Sequence, residues 1–152
     1  MPNSLSSLAQ TMQRYAQNIQ RNSVEIQKDV AMHVLAEVVD ATPIDTGRAM
    51  SNWLVNSGDA ASYSLPEAHD IGVRGSTRSA NLQQTISDGD REIASHVGGE
   101  LHITNNLRYI RDLNNGKSSQ APAHFVEAAA LSAAKRGSTR SILASSPGGR
   151  VV

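Results

Sequence analysis

The stretch Ala41–Trp53, "ATPIDTGRAMSNW", lies where a long helical pattern ends and a small mixed region begins. Pro43 ends the helix, because its ring disfavours helical geometry in the residue before it. Asp45-Thr46-Gly47 predicts a turn, since Asp and Thr oxygens can accept bonds from backbone N–H groups and glycine permits a positive φ. The same triplet carries the catalytic aspartate of aspartic proteases, so the surrounding sequence must decide between a structural and a catalytic role.

Upstream of this stretch, residues 4–41 predict one long helix. Apolar residues recur there at steps of three, four or seven along one face, and neither Gly nor Pro interrupts them. Asn22-Ser23 is the weak point, so two helices remain an alternative. An unbroken helix would be roughly 55 Å long, too long for the rest of a small domain to cover on all sides. The apolar positions are Leu8, Met12, Tyr15, Ile19, Ile26, Val30, Val34 and Val38.

Downstream, residues 53–104 predict two short strands with a loop and a helix between them. Strand-like residues surround Trp53 and stop at Gly58, and residues 58–80 read mostly as loop, with a possible contact at Ile71 and Val73. A helix follows over residues 80–96, with Leu82, Ile86 and Ile93 on one side and Gly89 weakening it. Leu101 and Ile103 alternate inward with His102 and Thr104, the period of a half-buried strand.

The last third predicts a helical turn and a final helix. Tyr109, Ile110 and Leu113 form the turn, closed by Asn115-Gly116, and Pro122 suits the first turn of a helix that ends near Lys135-Arg136. Together these elements predict an α+β fold: a long N-terminal helix, a small antiparallel β-sheet packed with two or three further helices, and an extended C-terminal arm. Residues 1–137 would form one domain, and residues 138–152 a flexible or partner-bound arm.

Composition favours a small protein that associates with other subunits. The chain has 152 residues, which fits one domain, and aromatic residues make up only 3%, so burial between subunits is a natural supplement to a modest core. There is no cysteine, which excludes disulfides and thiolate metal sites. No apolar run approaches the roughly 20 residues that cross a bilayer, and the polar N-terminus lacks a signal peptide's apolar centre, so a soluble protein made in the cytoplasm is expected.

Charge is unevenly distributed along the chain. The formal net charge is zero, but residues 41–107 carry eight acidic and four basic side chains, while residues 108–152 carry two acidic and seven basic ones. The basic end could meet an acidic partner or phosphates; a solvated tail is the simpler interpretation. Too few aromatic residues are present for base stacking, so specific nucleic-acid recognition is not expected. A small nucleic-acid-associated protein that uses the basic end remains an alternative, and salt-dependent retention on DNA would indicate it.

Catalytic motifs are not supported by their surroundings. In aspartic proteases the triplet follows an apolar strand, and two copies bring two carboxylates together; here it follows a helix and a proline. No His-Glu-x-x-His spacing, Gly-x-Ser-x-Gly elbow or phosphate-binding loop occurs. The five histidines are therefore interpreted as surface or packed residues, and no metal or cofactor is expected. An aspartic-type hydrolase centred on Asp45 remains the alternative from another class, and Asp45→Asn would separate it from a structural protein.

Two motifs resemble those of a known family. The first motif is Thr42–Arg48 with Ser51–Trp53, and the second motif is Ile103–Ala129, "ITNNLRYIRDLNNGKSSQAPAHFVEAA". In this order, after a long N-terminal helix, they resemble the neck or tail-completion proteins of tailed bacteriophages, which are also described as minor tail components. The chain departs from the family at Ile110-Arg111, where another aromatic residue or a proline often follows the tyrosine.

The resemblance implies a small α+β structural subunit without catalytic residues. It implies a ring at the head–tail junction of the virion, preferably a hexamer and alternatively a dodecamer. The ring would lie between head-completion or stopper proteins and tail-terminator or tail-tube proteins. DNA would pass through it without sequence-specific contacts. The positions carried over are Pro43, Asp45, Thr46, Gly47, Arg48, Trp53, Asn105, Asn106, Tyr109, Leu113, Gly116, Gln120, Pro122 and Phe125. Separately, the charge pattern suggests Arg108, Arg111 and Arg140 as inter-subunit charges facing an acidic neighbour.

Overall fold

The structure is a computed structural model that describes residues 5–73 and 76–138. Helix α1 spans Leu5–Ala41 without a break at Asn22-Ser23, which confirms the single long helix. The helix ends at Ala41, and the next residue, Thr42, bonds back to its last turn. The Thr42 N–H donates to the Val39 carbonyl at 3.2 Å, and the Thr42 hydroxyl donates to the Val38 carbonyl at 2.5 Å. The chain then leaves the helix at Pro43, as the sequence predicts.

Six further elements follow in chain order. They are α2 (Arg48–Ser51), β1 (Leu54–Ser57), α3 (Arg78–Ser95), β2 (Leu101–Thr104), α4 (Ile110–Asn114) and α5 (Phe125–Ser138). The two strands pair antiparallel, with Leu54 opposite Thr104 and Ser57 opposite Leu101. The α+β prediction is therefore confirmed, with a two-stranded sheet as its β component. Residues 139–152, which include Arg140 and nearly all of the predicted arm, lie outside the described residues.

The core lies between the C-terminal half of α1, the sheet, α3 and the start of α5. Its centre is formed by Leu35, Met50 and Ile93, all fully buried. Gly89 lets α3 approach closely, because a Cβ at this position would lie 2.3 Å from Leu35 Cδ2 and 3.0 Å from Val55 Cγ2. The glycine that weakens the helix in isolation is thus the one that permits its packing.

Long polar side chains attach α1 to the ends of α3 and α5. Lys28 donates to the Ala94 carbonyl at the end of α3 (3.1 Å), and the Arg136 guanidinium of α5 pairs with Asp29 at 3.0 Å. The hydrogen bond and the ion pair with Asp29 raise the pKa of Arg136. These contacts fall in the second half of α1 and leave its first half projecting beyond the packed body.

The projecting half of α1 carries exposed apolar side chains on one face. Leu5, Leu8, Met12 and Tyr15 are 86%, 56%, 63% and 46% exposed, and we call these four residues the N-terminal stripe. Among the described residues of α1, Ala31 is the first that is buried. The long helix therefore packs on its own subunit only through its second half. No helix in residues 5–73 or 76–138 is both long and apolar enough to span a membrane.

Candidate assembly site

The two motifs contact each other directly. The Ile44 N–H of the first motif donates to Gln120 Oε1 of the second at 2.9 Å, and Asn105 Nδ2 of the second donates at 2.9 Å to the carbonyl of Ala49, which lies between the two parts of the first motif. Both bonds join segments that are far apart in sequence. The structure thus brings together two stretches that the sequence singled out separately.

A cavity of about 320 Å³ lies between the motifs. Residues 43–49 form one wall, and α4 with the following loop forms the other. Eight of the residues carried over from the family line it: Pro43, Asp45, Thr46, Gly47, Arg48, Tyr109, Leu113 and Gln120. The remaining six lie outside its lining, and five of them, all but the exposed Pro122, have contacts elsewhere or a defined turn geometry.

The Asp45-Thr46-Gly47 triplet is a turn, as predicted. Gly47 has φ +84° and precedes the first residue of α2, and the Thr46 hydroxyl accepts the Arg48 N–H at a long 3.5 Å. A Cβ at Gly47 would lie 2.3 Å from Asn81 Nδ2, so the glycine is required by both backbone geometry and space. Asp45 itself is exposed at the mouth of the cavity.

Asn81 of α3 is a polar residue that sequence analysis did not identify. Its side chain is fully buried and accepts the Ser51 hydroxyl at 2.9 Å and the Asp70 N–H at 2.8 Å. It also donates to the carbonyls of Asp70 and Thr77 at 3.0 and 2.9 Å. The available signal was its spacing: Asn81, Thr85, Gly89 and Ile93 form the buried face of α3 at steps of four.

The loop of residues 58–73 is held to the body by side chains of both motifs. Asn52, fully buried, binds both backbone groups of Leu65, at 2.6 Å to its N–H and 3.3 Å to its carbonyl. Arg48 Nε donates to the same carbonyl at 3.2 Å. Asn106 donates to the carbonyls of Ala61 and Tyr63 at 2.7 and 2.9 Å. Both motifs therefore give this loop a defined path.

The loop itself confirms the sequence prediction of an irregular segment, but not the suggested contact. Ile71 is 69% exposed and Val73 79% exposed, so neither side chain packs on the body. Tyr63 is also exposed, at 55%. The loop is fixed through its backbone, by Asn52, Asn81 and Asn106, while its apolar side chains face outward.

The predicted start of the last helix was wrong, and Asn114 of the second motif determines where that helix begins. Helix α5 begins at Phe125, so Pro122 precedes its first turn instead of lying in it. Asn114 fixes the start, because its carbonyl accepts the His124 N–H at 2.5 Å and its side chain accepts the Val126 N–H at 3.0 Å. His124 accordingly takes a positive φ of 63°, which no helical residue could have.

The other carried-over residues have structural contacts. Trp53 is 6% exposed and Phe125 2% exposed, both in the core. Gly116 has φ +87°, and a Cβ there would lie 3.0 Å from Ala123 Cβ, which fixes the turn after α4. Arg108 and Arg111 are exposed, so they are accessible to a partner. Whether they join subunits stays a prediction, as does the role of Arg140 outside the described residues.

The surroundings of Asp45 differ from those of the aspartic-protease triplet, because helix α1 ends at Ala41 before it and α2 begins at Arg48 after it. Asp45 is the only carboxylate among the lining residues that the structure describes, so a shared proton of the aspartic-protease kind would need a second copy of the chain. Burial raises the pKa of the Tyr109 hydroxyl, with Arg48 opposing and Asp45 adding to the shift. Burial therefore favours the neutral phenol.

His33 lies close to a serine and a carboxylate without forming a triad. Its Nε2 is 2.9 Å from both Ser132 Oγ and Glu37 Oε1. In a catalytic triad the serine and the carboxylate bind opposite ring nitrogens, so this cluster joins α1 to α5 and does not activate Ser132.

His96 is fully buried and also has a packing role. Its Nδ1 lies 2.7 Å from Ser57 Oγ and its Nε2 lies 3.1 Å from Gln27 Oε1, which ties β1 to α1. Neither Ser57 nor His96 lines the cavity between the motifs. Within residues 5–73 and 76–138, no group of three or more His, Asp or Glu side chains could hold a metal ion.

Removing the bond between the motifs should destabilise the fold. Gln120→Ala would leave the buried Ile44 N–H without its acceptor, which costs about 1–3 kcal/mol. Gln120→Glu keeps an oxygen at the same reach and should retain most of the stability. Urea unfolding followed by circular dichroism measures both. Equal losses in the two variants would show that the bond to Ile44 is not what Gln120 contributes.

Comparison with protein-family models, with curated proteins and with solved structures found no match for this chain. The functional interpretation therefore depends on the motif resemblance and on the contacts and surfaces described above. A proposed function must account for two of these features: the direct contact between the two motifs and the exposed apolar surfaces.

Proposed function

We propose that this chain is a structural protein of the tailed-bacteriophage neck, which forms a ring around the DNA channel and joins the head to the tail. The observation that supports this most is the direct contact between the two motifs on which the resemblance rests, through Gln120 and Ile44. If the motifs were similar to that family only by chance, nothing would require them to build one site. The side chains of the two motifs form turns, hold the loop and pack in the core, which suits a structural rather than a catalytic protein.

The exposed apolar residues support assembly. The N-terminal stripe lies on the projecting half of α1, and Tyr63, Ile71 and Val73 lie in the loop of residues 58–73; all seven side chains are exposed. Contiguous exposed apolar surface on a soluble protein commonly marks an interaction site. A ring requires two different and complementary faces on each subunit, and this chain has two candidate faces.

The proposal includes the partners and symmetry that the resemblance implies. A homo-hexamer is preferred and a dodecamer is the alternative, placed between head-completion or stopper proteins and tail-terminator or tail-tube proteins. DNA would pass through without sequence-specific contacts, and the protein would reside in the virion after synthesis in the host cytoplasm. The basic residues after 107 would face an acidic surface of a neighbour or of the next ring.

Electron microscopy tests the proposal directly. The purified protein should form rings with a central opening, and labelled protein should lie at the head–tail junction of particles. A protein that stays monomeric at every soluble concentration, or is missing from particles, would overturn it.

Charge reversal provides the matching assembly test. Arg108→Glu and Arg111→Glu, introduced together at exposed sites, should abolish assembly with the neighbouring ring or subunit while leaving the fold intact, because they place like charges opposite an acidic face. Arg91→Glu, an equally exposed change outside the basic region, is the control and should assemble normally. Unchanged assembly of the double variant would exclude this role for the two arginines.

A further inference from the structure

The N-terminal stripe is an exposed apolar face of α1. Leu5, Leu8, Met12 and Tyr15 follow one another at steps of three and four, which aligns them along one side of α1. Ala9 and Ala16, one residue after Leu8 and Tyr15, widen this face with small side chains. An apolar helix face of this kind binds by lying in a groove or against a surface of another molecule.

The charges beside the stripe are of one sign. Arg14 and Arg21 are the only charged residues between residues 5 and 22, so this part of α1 carries a formal charge of +2. Neither arginine forms an ion pair in the described part of the chain, although Arg21 donates to Asn18 Oδ1 at 2.8 Å. A complementary surface would therefore be apolar and acidic.

The loop of residues 58–73 has that character. It exposes Tyr63, Ile71 and Val73, and it contains three acidic residues, Asp59, Glu67 and Asp70, whereas Arg74 is the only Lys or Arg in the sequence between residue 58 and the start of α3. Loops of this length without secondary structure are uncommon in compact domains unless they are functional. Here the backbone is anchored by buried asparagines, so the outward side chains are presented on a defined surface.

The stripe lies far from the anchors that hold the loop within one subunit. The loop is attached to the first motif, at the C-terminal end of α1, through Asn52 and Arg48. Met12 lies 26 residues before Val38 on the same unbroken helix, a separation of roughly 40 Å at 1.5 Å per residue. Complementary surfaces that are separated on one subunit can be joined between copies, in a head-to-tail contact that closes into a ring when the rotation fits.

We propose that the N-terminal stripe of one copy docks on the loop of residues 58–73 of the next copy. Apolar contact between the stripe and Tyr63, Ile71 and Val73 provides the adhesion, and Arg14 and Arg21 face the acidic residues of the loop. Arg48, Asn52 and Asn106 of the motifs contribute indirectly, because they hold the loop in the conformation that binds the helix. This inference deepens the proposed function, since it names the surfaces that join subunits.

Cysteine crosslinking tests the contact, and the absence of native cysteine makes each introduced thiol unique. Two proteins are prepared, one with Met12→Cys and one with Tyr63→Cys, and are mixed and treated with a short bismaleimide. The mixture should give a covalent dimer containing one chain of each kind. Gln13→Cys, the neighbouring exposed residue on another face of α1, is the matched control and should link to Tyr63→Cys much less.

Different failures have different meanings. If Met12→Cys links to itself but not to Tyr63→Cys, the stripe pairs with another stripe and the proposal is overturned. If neither linkage forms while the wild-type protein still makes rings by electron microscopy, the docking assignment fails and the proposed ring survives. If the wild-type protein is monomeric throughout, both fail together.

The charge component has its own readout. Arg14→Glu and Arg21→Glu together should weaken association at low salt and reverse its salt dependence, so that added salt strengthens it, because like charges then face the acidic residues of the loop. Both arginines are exposed on α1, so the variant should keep the helical content of the wild type. Association that is unaffected by the reversal would contradict the role of the loop's acidic residues.

Discussion

Replacing Trp53 by alanine should lower the free energy of unfolding by about 3–5 kcal/mol, the usual loss for a large ring removed from a core. The indole is 6% exposed and belongs to the central cluster. Its Nε1–H donates to the Thr42 hydroxyl at 2.8 Å, and that hydroxyl donates in turn to the Val38 carbonyl. Trp53 thereby fixes the end of α1 against the start of β1, so its loss removes both packing and a bonded pair.

Circular dichroism in urea is the appropriate measurement for this variant, since Trp53 is the only tryptophan and its fluorescence disappears with it. Trp53→Phe is the control: it retains most of the apolar contact but has no N–H for Thr42. It should lose less than the alanine variant, with the bond accounting for about 1 kcal/mol. A loss below about 1 kcal/mol for Trp53→Ala would mean that the core does not depend on this ring.

The elements that the sequence predicted well are those with a strong local pattern. Helix α1 was predictable because its apolar steps are sustained and uninterrupted up to Pro43. Strand β2 was predictable from the alternation of Leu101 and Ile103, both of which pack against the core. The turn at Gly47 was predictable because a triplet of turn-forming residues follows a proline. In each case neighbouring residues determine the conformation.

The features that the sequence did not predict depend on contacts between distant residues. Asn81 is buried because Ser51, Asp70 and Thr77 all supply partners for it; its own segment predicts only a helix surface. The start of α5 was placed too early because Pro122 is compatible with a first turn, whereas Asn114, eight residues earlier, decides where the helix begins. Polar side chains that bind distant backbone leave little periodic signal.

The same reasoning explains why the site was foreseen only in part. Its residues were named through a resemblance, as two separate motifs, and nothing in either motif alone indicates that Gln120 binds the backbone beside Pro43. The buried face of α3 consists of Asn81, Thr85, Gly89 and Ile93, so three of its four positions are small or polar. A hydrophobic pattern is therefore weakest where α3 supports the first motif.

Gly47→Ala should be the most damaging single-methyl change in the first motif, lowering the free energy of unfolding by about 2–4 kcal/mol. A residue with a Cβ at φ +84° is strained by roughly 1–2 kcal/mol. The methyl group would also fall 2.3 Å from Asn81 Nδ2, and displacing that buried amide disturbs bonds to Asp70 and Thr77, each worth about 1 kcal/mol. Urea unfolding of the variant and the wild type measures the difference.

Asp45→Asn is the matched control, and it separates a structural triplet from a catalytic one. Asp45 is exposed, and asparagine also forms this kind of turn, so the variant should stay within about 1 kcal/mol of the wild type. A structural role therefore predicts a large effect at Gly47, a small one at Asp45 and no peptidase activity in either protein. If the wild type cleaved peptides and Asp45→Asn abolished cleavage with its unfolding curve unchanged, the triplet would be catalytic. Gly47 is constrained both by its backbone angle and by its contact with Asn81, whereas Asp45 is exposed, and for that reason we expect the damage to follow the glycine.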